Sequence, residues 1–240
     1  MPKHLFFSIV IPAHNEARYL SETLTHLCDL EYPKSSYEVI VVENGSTDRT
    51  LEIARSFACD NLKVMTSHKG VSRARNAGFD AVSPKSDWTI FLDADTSCEP
   101  PFLMDLNEYL SDPKRAKAVV GTVELQPRGN TRWYAKAWFA FYNLGHRLTR
   151  TCMSVIVAKS ALRDYPHHHF DEYLSFAEDL KFVRTSLKHG KFFFFWTKTV
   201  WASTRRFDQV GWVKLFFIWN WEALVLSHTR HKRDPYEVVR

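Results

Sequence analysis

The chain is short of cysteine, and its few cysteines are not spaced to work together. Cys28, Cys59, Cys98 and Cys152 are scattered through 240 residues with no CxxC pair. That argues against a zinc site or a disulfide framework and makes reduced thiols in a cytosolic compartment the expectation. No stretch of about 20 uninterrupted apolar residues occurs, so no membrane-spanning helix is expected. The opening MPKHLFFSIVIPAHNE has too short an apolar run, and no small-residue cleavage site, for a signal peptide. GxxxxGK[ST] and HExxH are both missing, which excludes a P-loop and a helix-borne zinc site. There is no internal repeat, low-complexity segment or clear linker.

What is present suits one folded domain, or a domain with an appended segment: 45% of residues are hydrophobic. The formal charge of +5 fits attraction to nucleotides, nucleic acid or acidic lipid, and equally fits ordinary scatter. The first half alternates strand and helix signals. Phe6 to Ile11 reads as a continuous apolar strand stopped by Pro12, after which Asn15 caps a helix with the inward stripe Tyr19, Leu20, Thr23, Leu24, Leu27 and Cys28. Glu38 to Val42 is a second strand. Gly45 to Asp48 turns it into a helix carrying Leu51, Ile53, Ala54 and Phe57. Leu62 to Met65 and Thr89 to Leu92 are further strands, with a helix over Val71 to Ala81 between them. This alternation predicts an α/β fold with a mostly parallel sheet covered on both faces. In the second half, Ala118 to Leu125, Met153 to Ala158 and Phe192 to Trp196 read as strands. Trp133 to Leu148 and Phe176 to Lys188 read as helices. Both halves are expected to share one sheet.

Ligands of such sheets bind beyond the carboxyl ends of the strands. Three polar clusters begin at such ends: Pro12-Ala13-His14-Asn15-Glu16, Glu43-Asn44-Gly45-Ser46 and Asp93-Ala94-Asp95. The two aspartates offer hard oxygen ligands to Mg²⁺ or Mn²⁺ on a diphosphate, although alone they also fit a turn or a helix cap. Gly70 to Gly78 combines cations with a helix N-terminus, which suits phosphate or a solvated basic face. Glu178-Asp179 enters a helix, where a carboxylate can act as general base or simply favour the helix start. Arg205 and Arg206 could reach a pyrophosphate.

The set SIVIPAHNEARYLSETL, EVIVVENGSTDRT, KGVSRARNAGF, DWTIFLDADT and FAEDLKFVRTSLKHG, in that order, resembles the family 2 glycosyltransferases, inverting enzymes with a GT-A fold. The resemblance implies a hexosyltransferase that uses a nucleotide-diphosphate sugar, with GDP-mannose or a UDP-hexose favoured, and Mn²⁺ or Mg²⁺ as cofactor. It implies that Pro12, Ala13, Glu16 and Glu43 line the base and ribose pocket, with Lys69 and Arg73 near the nucleotide. Asp93 would touch ribose or metal, Ala94 would contact the nucleotide sugar, and Asp95 would be the chief metal ligand. Asp179 would be the base and Glu178 would position the acceptor, while Arg205 or Arg206 closes over the diphosphate. Two features depart from the family's pattern. Members commonly carry two aspartates before Gly-Ser where this chain has Glu43-Asn44, and the QxxRW signature of processive members is missing, which implies single-sugar transfer.

The domain is expected over residues 1–209. Residues 210–240 would form an aromatic, basic amphipathic segment, because Trp212, Trp219 and Trp221 are followed by Arg230 to Arg233. Tryptophans beside cations suit a helix lying in an anionic membrane interface, and Trp133 to Leu148 offers a second such surface; both also fit packing on the domain's own core. A lipid-linked acceptor and a cytoplasmic position at the inner face of the cell membrane are the corresponding expectations. His167-His168-His169 is expected in an acceptor-side loop, with one histidine open as an extra metal ligand. Two other whole-chain readings are disfavoured by the sequence. A sugar nucleotidyltransferase is disfavoured by the lack of an N-terminal glycine-rich basic loop. A non-catalytic module binding nucleotide or nucleic acid is disfavoured because the aromatics do not interleave with the cations, so no nucleic-acid partner is expected.

Overall fold

The computed structural model describes residues 4–57, 59–129, 132–174, 177–215 and 217–218. Its elements run β1 (Phe7–Ala13), α1 (Leu20–Cys28), β2 (Tyr37–Glu43), α2 (Thr50–Ser56), β3 (Leu62–Thr66), α3 (Val71–Asp80), β4 (Trp88–Leu92) and β5 (Thr96–Cys98). They continue with α4 (Phe102–Ser111), β6 (Ala118–Val123), β7 (Gln126–Arg128), α5 (Trp133–Thr149), β8 (Val155–Lys159), α6 (Glu178–Ser186), β9 (Lys191–Phe195), β10 (Val200–Ser203) and α7 (Arg205–Val210).

Seven strands form one sheet in the order β3-β2-β1-β4-β8-β6-β9. Strands β3, β2, β1 and β4 are parallel, β8 is antiparallel to both β4 and β6, and β9 is parallel to β6. Every residue of β1, β2 and β4 is buried, because helices cover both faces and each strand can be apolar throughout. Alternate side chains therefore enter different cores. Ile9, Ile11, Val39 and Ile90 pack with Leu20, Leu24 and Leu27 of α1 and Leu106 of α4. Val10, Ile40, Val42 and Phe91 pack with Ala74 and Phe79 of α3 and Phe182 of α6. Gly78 lets α3 approach closely, since a Cβ there would lie 2.3 Å from Val10 Cγ1.

Three expectations are corrected. Pro12 does not stop the first strand; it lies inside β1, in register with Val42. Its missing N–H is tolerated because β1 pairs with β4 only from Phe7 to Val10. Asn15 does not cap α1, which starts at Leu20. With φ +56° it instead bridges loops, its Oδ1 accepting from Thr47 N at 2.8 Å. The halves do share the main sheet, but a second sheet, β5-β10-β7, had not been anticipated. All four cysteines are free thiols. Cys28 and Cys59, distant in sequence, meet: burial and the Cys59 thiol push Cys28 up to about 12.

Candidate active site

The carboxyl ends of β1, β2 and β3 lie side by side, Ala13 in register with Glu43 and Glu43 with Thr66, and β4 runs parallel to β1 on its other edge. Asp93-Ala94-Asp95 forms the turn from β4 to β5. Asp93 N donates to Ser154 O at 3.0 Å, and the carbonyl of buried Ala94 accepts from Thr23 Oγ1 at 2.8 Å. The main chain of the motif is thus held from two sides while its carboxylates point to the rim.

The Asp95 carboxylate faces a cluster of charge. Arg205 Nε lies 3.0 Å from Asp95 Oδ2, and the same guanidinium donates to both oxygens of Glu16, at 2.9 and 2.5 Å. Its carbon sits 4.7 Å from the centre of the Tyr19 ring. Burial first, then the neighbouring Asp93 and Glu16 carboxylates, push Asp95 up to about 6 against the opposing pull of Arg205. Arg128 of β7 ties the second sheet to this point by pairing with Glu22 and donating to Asp95 O at 3.5 Å. Nothing in the local sequence of Arg128 marks that role, because β7 is only three residues long.

On the other side of Asp93 lies the start of α6. Arg75 of α3 donates to Glu178 Oε1 at 2.9 Å and to Asp93 Oδ1 at 3.2 Å. Asp179 follows Glu178 in the first turn, which Ala177 enters with φ +60°, and Asp179 Oδ1 accepts from Leu180 N at 2.7 Å. Burial and the adjacent Glu178 carboxylate push Asp179 up to about 6, while Arg75 pulls it down. A base near that value is ionised at neutral pH yet basic enough to take a proton.

The residues after β1 and β2 form a network of loops. Glu43 Oε1 accepts from Ser46 N. Thr50 Oγ1 accepts from Glu16 N at 2.8 Å, and Asp48 Oδ2 from Ala17 N at 3.1 Å. Gly45, at φ +80°, brings this loop against the Lys69 side chain. Arg73 pairs with Glu172 at 3.2 Å. Pro12, Ala13, Glu16, Glu43, Lys69, Asp93, Ala94, Asp95 and Arg205 therefore gather along one rim. Glu178 and Asp179 adjoin it through Arg75, and Arg206 is the second residue of α7.

The histidine loop leads into Phe170 and Glu172, which lie against Arg75 and Arg73. His168 is buried, its Nε2 2.9 Å from Ser186 Oγ, and burial drives it down to about 4. His169 Nε2 lies 2.8 Å from Asp80 Oδ1 on α3. Both side chains are held by these packing contacts. In the aromatic segment, Trp212 stacks on Phe207 at 4.7 Å and Leu215 is buried, so these two face the core. Phe176 and residues 219–240 lie outside the described residues.

Among the described residues no group of three or more His, Cys, Asp or Glu side chains converges to hold an ion. Asp93 and Asp95 nevertheless fit Mg²⁺ or Mn²⁺. Such ions are commonly bound by one or two carboxylates, with phosphate oxygens and water completing the shell. The partly buried Asp95 carboxylate also needs a positive partner, which Arg205 supplies.

A mostly parallel α/β sheet with paired aspartates at a central strand end and a carboxylate pair beside them has the arrangement of a GT-A fold. The glycosyl transferase family 2 model matches residues 8–170, and the chain belongs to that family. It is 41% identical over 99 residues to the glycosyltransferase AglE of Haloferax volcanii, covering 40% of this chain and 31% of that protein. It is 26% identical over 205 residues to the poly(ribitol-phosphate) β-N-acetylglucosaminyltransferase TarS of Staphylococcus aureus, covering 80% of this chain and 35% of TarS. The chain thus spans about a third of the length of these relatives. Among solved structures, S. aureus TarS in complex with UDP-GlcNAc superposes with a TM-score of 0.68 at 23% identity, covering 83% of this chain and 58% of that one. A mannosyltransferase from Pyrobaculum calidifontis in complex with GDP-Man and Mn²⁺ gives 0.63 at 17% identity, covering 84% and 57%. These likenesses give the fold.

Proposed function

We propose that this domain transfers one sugar, with inversion, from a nucleotide-diphosphate sugar to an acceptor hydroxyl, or to the phosphate of a lipid. The observation that carries this reading is the convergence of Asp95 and Asp179 on one rim, joined through Asp93, Arg75 and Glu178. For a hydroxyl acceptor, Asp179 takes the proton as its oxygen attacks the anomeric carbon. The bond from that carbon to the diphosphate breaks on the opposite face, and the transition state has oxocarbenium character. Glu178 orients the acceptor. Glu16, Glu43, Lys69 and Arg73, with the main chain at Pro12 and Ala13, hold the nucleotide, while Arg205 and Arg206 neutralise the departing diphosphate. Asp95 and Asp93 would hold a divalent cation, which would supply Lewis-acid stabilisation of the leaving group.

UDP-GlcNAc in TarS and GDP-Man with Mn²⁺ in the mannosyltransferase support UDP-hexoses and GDP-mannose as the donors to try first. Thermal-shift measurements with UDP-, GDP- and dTDP-sugars, with and without Mn²⁺, test this reading. Metal-dependent stabilisation by one nucleotide is expected, because a ligand of the folded state alone raises its melting temperature. Equal shifts with all of them, or none, would count against it.

A membrane-side acceptor is supported by the outer face of α5, where Trp133 and Leu148 are 80% and 71% exposed. Phe141 and Leu144 lie on the same stripe, and the exposed cations Arg132, Lys136, Arg147 and Arg150 flank it. Apolar side chains framed by cations suit an anionic lipid surface. That favours a peripheral position on the cytoplasmic face of a membrane and a lipid-linked acceptor. No described helix is long and apolar enough to cross a bilayer.

A further inference from the structure

Arg75 is the least accessible cation of the site, its side chain 10% exposed, and the reading above gives it no role in the reaction. Its guanidinium forks between carboxylates on two separate elements, Glu178 on α6 and Asp93 after β4. Beneath it lies the Phe170 ring, 5.3 Å from the guanidinium carbon. That ring is itself fixed: Asn76 exchanges two hydrogen bonds with the Phe170 main chain, at 2.9 and 2.8 Å, and Phe182 stacks on it at 4.2 Å. The buried Nε of Arg75 has no hydrogen-bond partner. A buried donor left unpaired is costly, so the guanidinium is seated for the two carboxylates rather than for full satisfaction of its own hydrogen bonds.

We propose that Arg75 is a positioning residue. Its planar fork fixes the distance between the diphosphate side of the site, at Asp93 and Asp95, and the acceptor side, at Glu178 and Asp179. The nucleophile is thereby held in line with the leaving group across the sugar. This rests on the assignment of Asp179 as base. Lysine cannot replace the fork, because an ammonium is a point charge that cannot present two parallel donors to two separate carboxylates. The stretch KGVSRARNAGF marks its cations as phosphate ligands by type; only the fold turns Arg75 inward, away from Arg73, which pairs with Glu172.

The test uses Arg75→Lys and Arg75→Ala. It reads UDP or GDP release from UDP-GlcNAc and GDP-mannose with Mn²⁺, and donor affinity by calorimetry. Partners that orient first-contact groups are typically worth about 10–100-fold, so kcat is expected to fall by about that factor while donor Kd stays within about threefold. Millimolar guanidinium is expected to restore part of the Arg75→Ala rate. If Arg75→Ala does not fold, Arg75→Lys carries the test. A kcat within about twofold of wild type for Arg75→Lys overturns the proposal, and so does a loss of kcat matched by equal losses of donor affinity and melting temperature. Asp179→Asn, run in parallel, separates the two ideas. If it stays active while Arg75→Lys is slow, the base assignment falls and Arg75 remains as the brace of Asp93.

Discussion

Arg205 and Asp95 are bound to each other, guanidinium Nε to carboxylate Oδ2 at 3.0 Å, with Glu16 closing the other edge of the same guanidinium. An arginine from the far end of the domain thus sits where the leading aspartate of the site would take a cation. The guanidinium compensates the charge on Asp95 and Glu16, and a divalent ion on Asp95 would compete with it.

Removing that competitor should expose the carboxylates. We expect Arg205→Ala to bind Mn²⁺ alone more tightly than wild type, on the order of tenfold, because two partly buried carboxylates lose their partner. Its nucleotide release from donor should be slower, because the diphosphate loses a cation. Manganese titration by electron paramagnetic resonance reads the first quantity directly, and an unchanged affinity would refute the competition.

The pH dependence follows from Asp179, which burial and Glu178 push up to about 6. A raised carboxylate is protonated, and useless as a base, below that value. At saturating metal, kcat is therefore expected to fall about tenfold per unit as pH drops below about 6 and to level off above it. The same shift has a stability sign. The unfolded aspartate ionises first, so this group weakens the fold as pH rises from about 4 to about 6, with no further change above. A flat activity profile between pH 5 and 7 would contradict the assignment.

Packing under the site makes a different demand. A methyl at Gly78 would meet Val10 Cγ1 at 2.3 Å and Val42 Cγ2 at 3.1 Å. Overpacking costs about 1–3 kcal/mol, whereas alanine gains up to about 1 kcal/mol over glycine within a helix. Gly78→Ala should therefore lose stability in urea at an unchanged m-value. It should also slow turnover, because α3 carries Arg75. A gain in stability would show that α3 is not held against β1 at this point.

The α5 face can be tested without knowing the acceptor. The protein should float with vesicles containing phosphatidylserine, and Leu144→Asp/Leu148→Asp should abolish flotation while leaving the melting temperature nearly unchanged, since both side chains are exposed. Absence of wild-type flotation would remove the membrane reading.

The sequence exposed the first half of this fold well because β1, β2 and β4 are unbroken apolar runs and α1 and α3 carry clear stripes. Pro12 misled because its cost depends on the neighbouring strand, which cannot be read locally. The three-stranded sheet was illegible because β5 and β7 have only three residues each. Helix α4 was missed although Glu99-Pro100-Pro101 followed by Phe102, Leu103, Leu106 and Leu110 is a usable signal. Within the site, residue type placed Asp95, Glu178 and Asp179 at strand and helix ends. It could not tell Arg73, which pairs at the surface, from Arg75, which turns into the core between two carboxylates.

The most direct test of the account is Asp179→Asn. The substitution keeps shape and removes only the ability to take a proton. With Mn²⁺ and the donor that stabilises the wild type, the variant should bind that donor with near-native affinity. Its transfer to a hydroxyl acceptor should slow by about 10²-fold or more, the usual contribution of a general base. Near-native transfer by Asp179→Asn, with donor binding intact, would contradict the central claim.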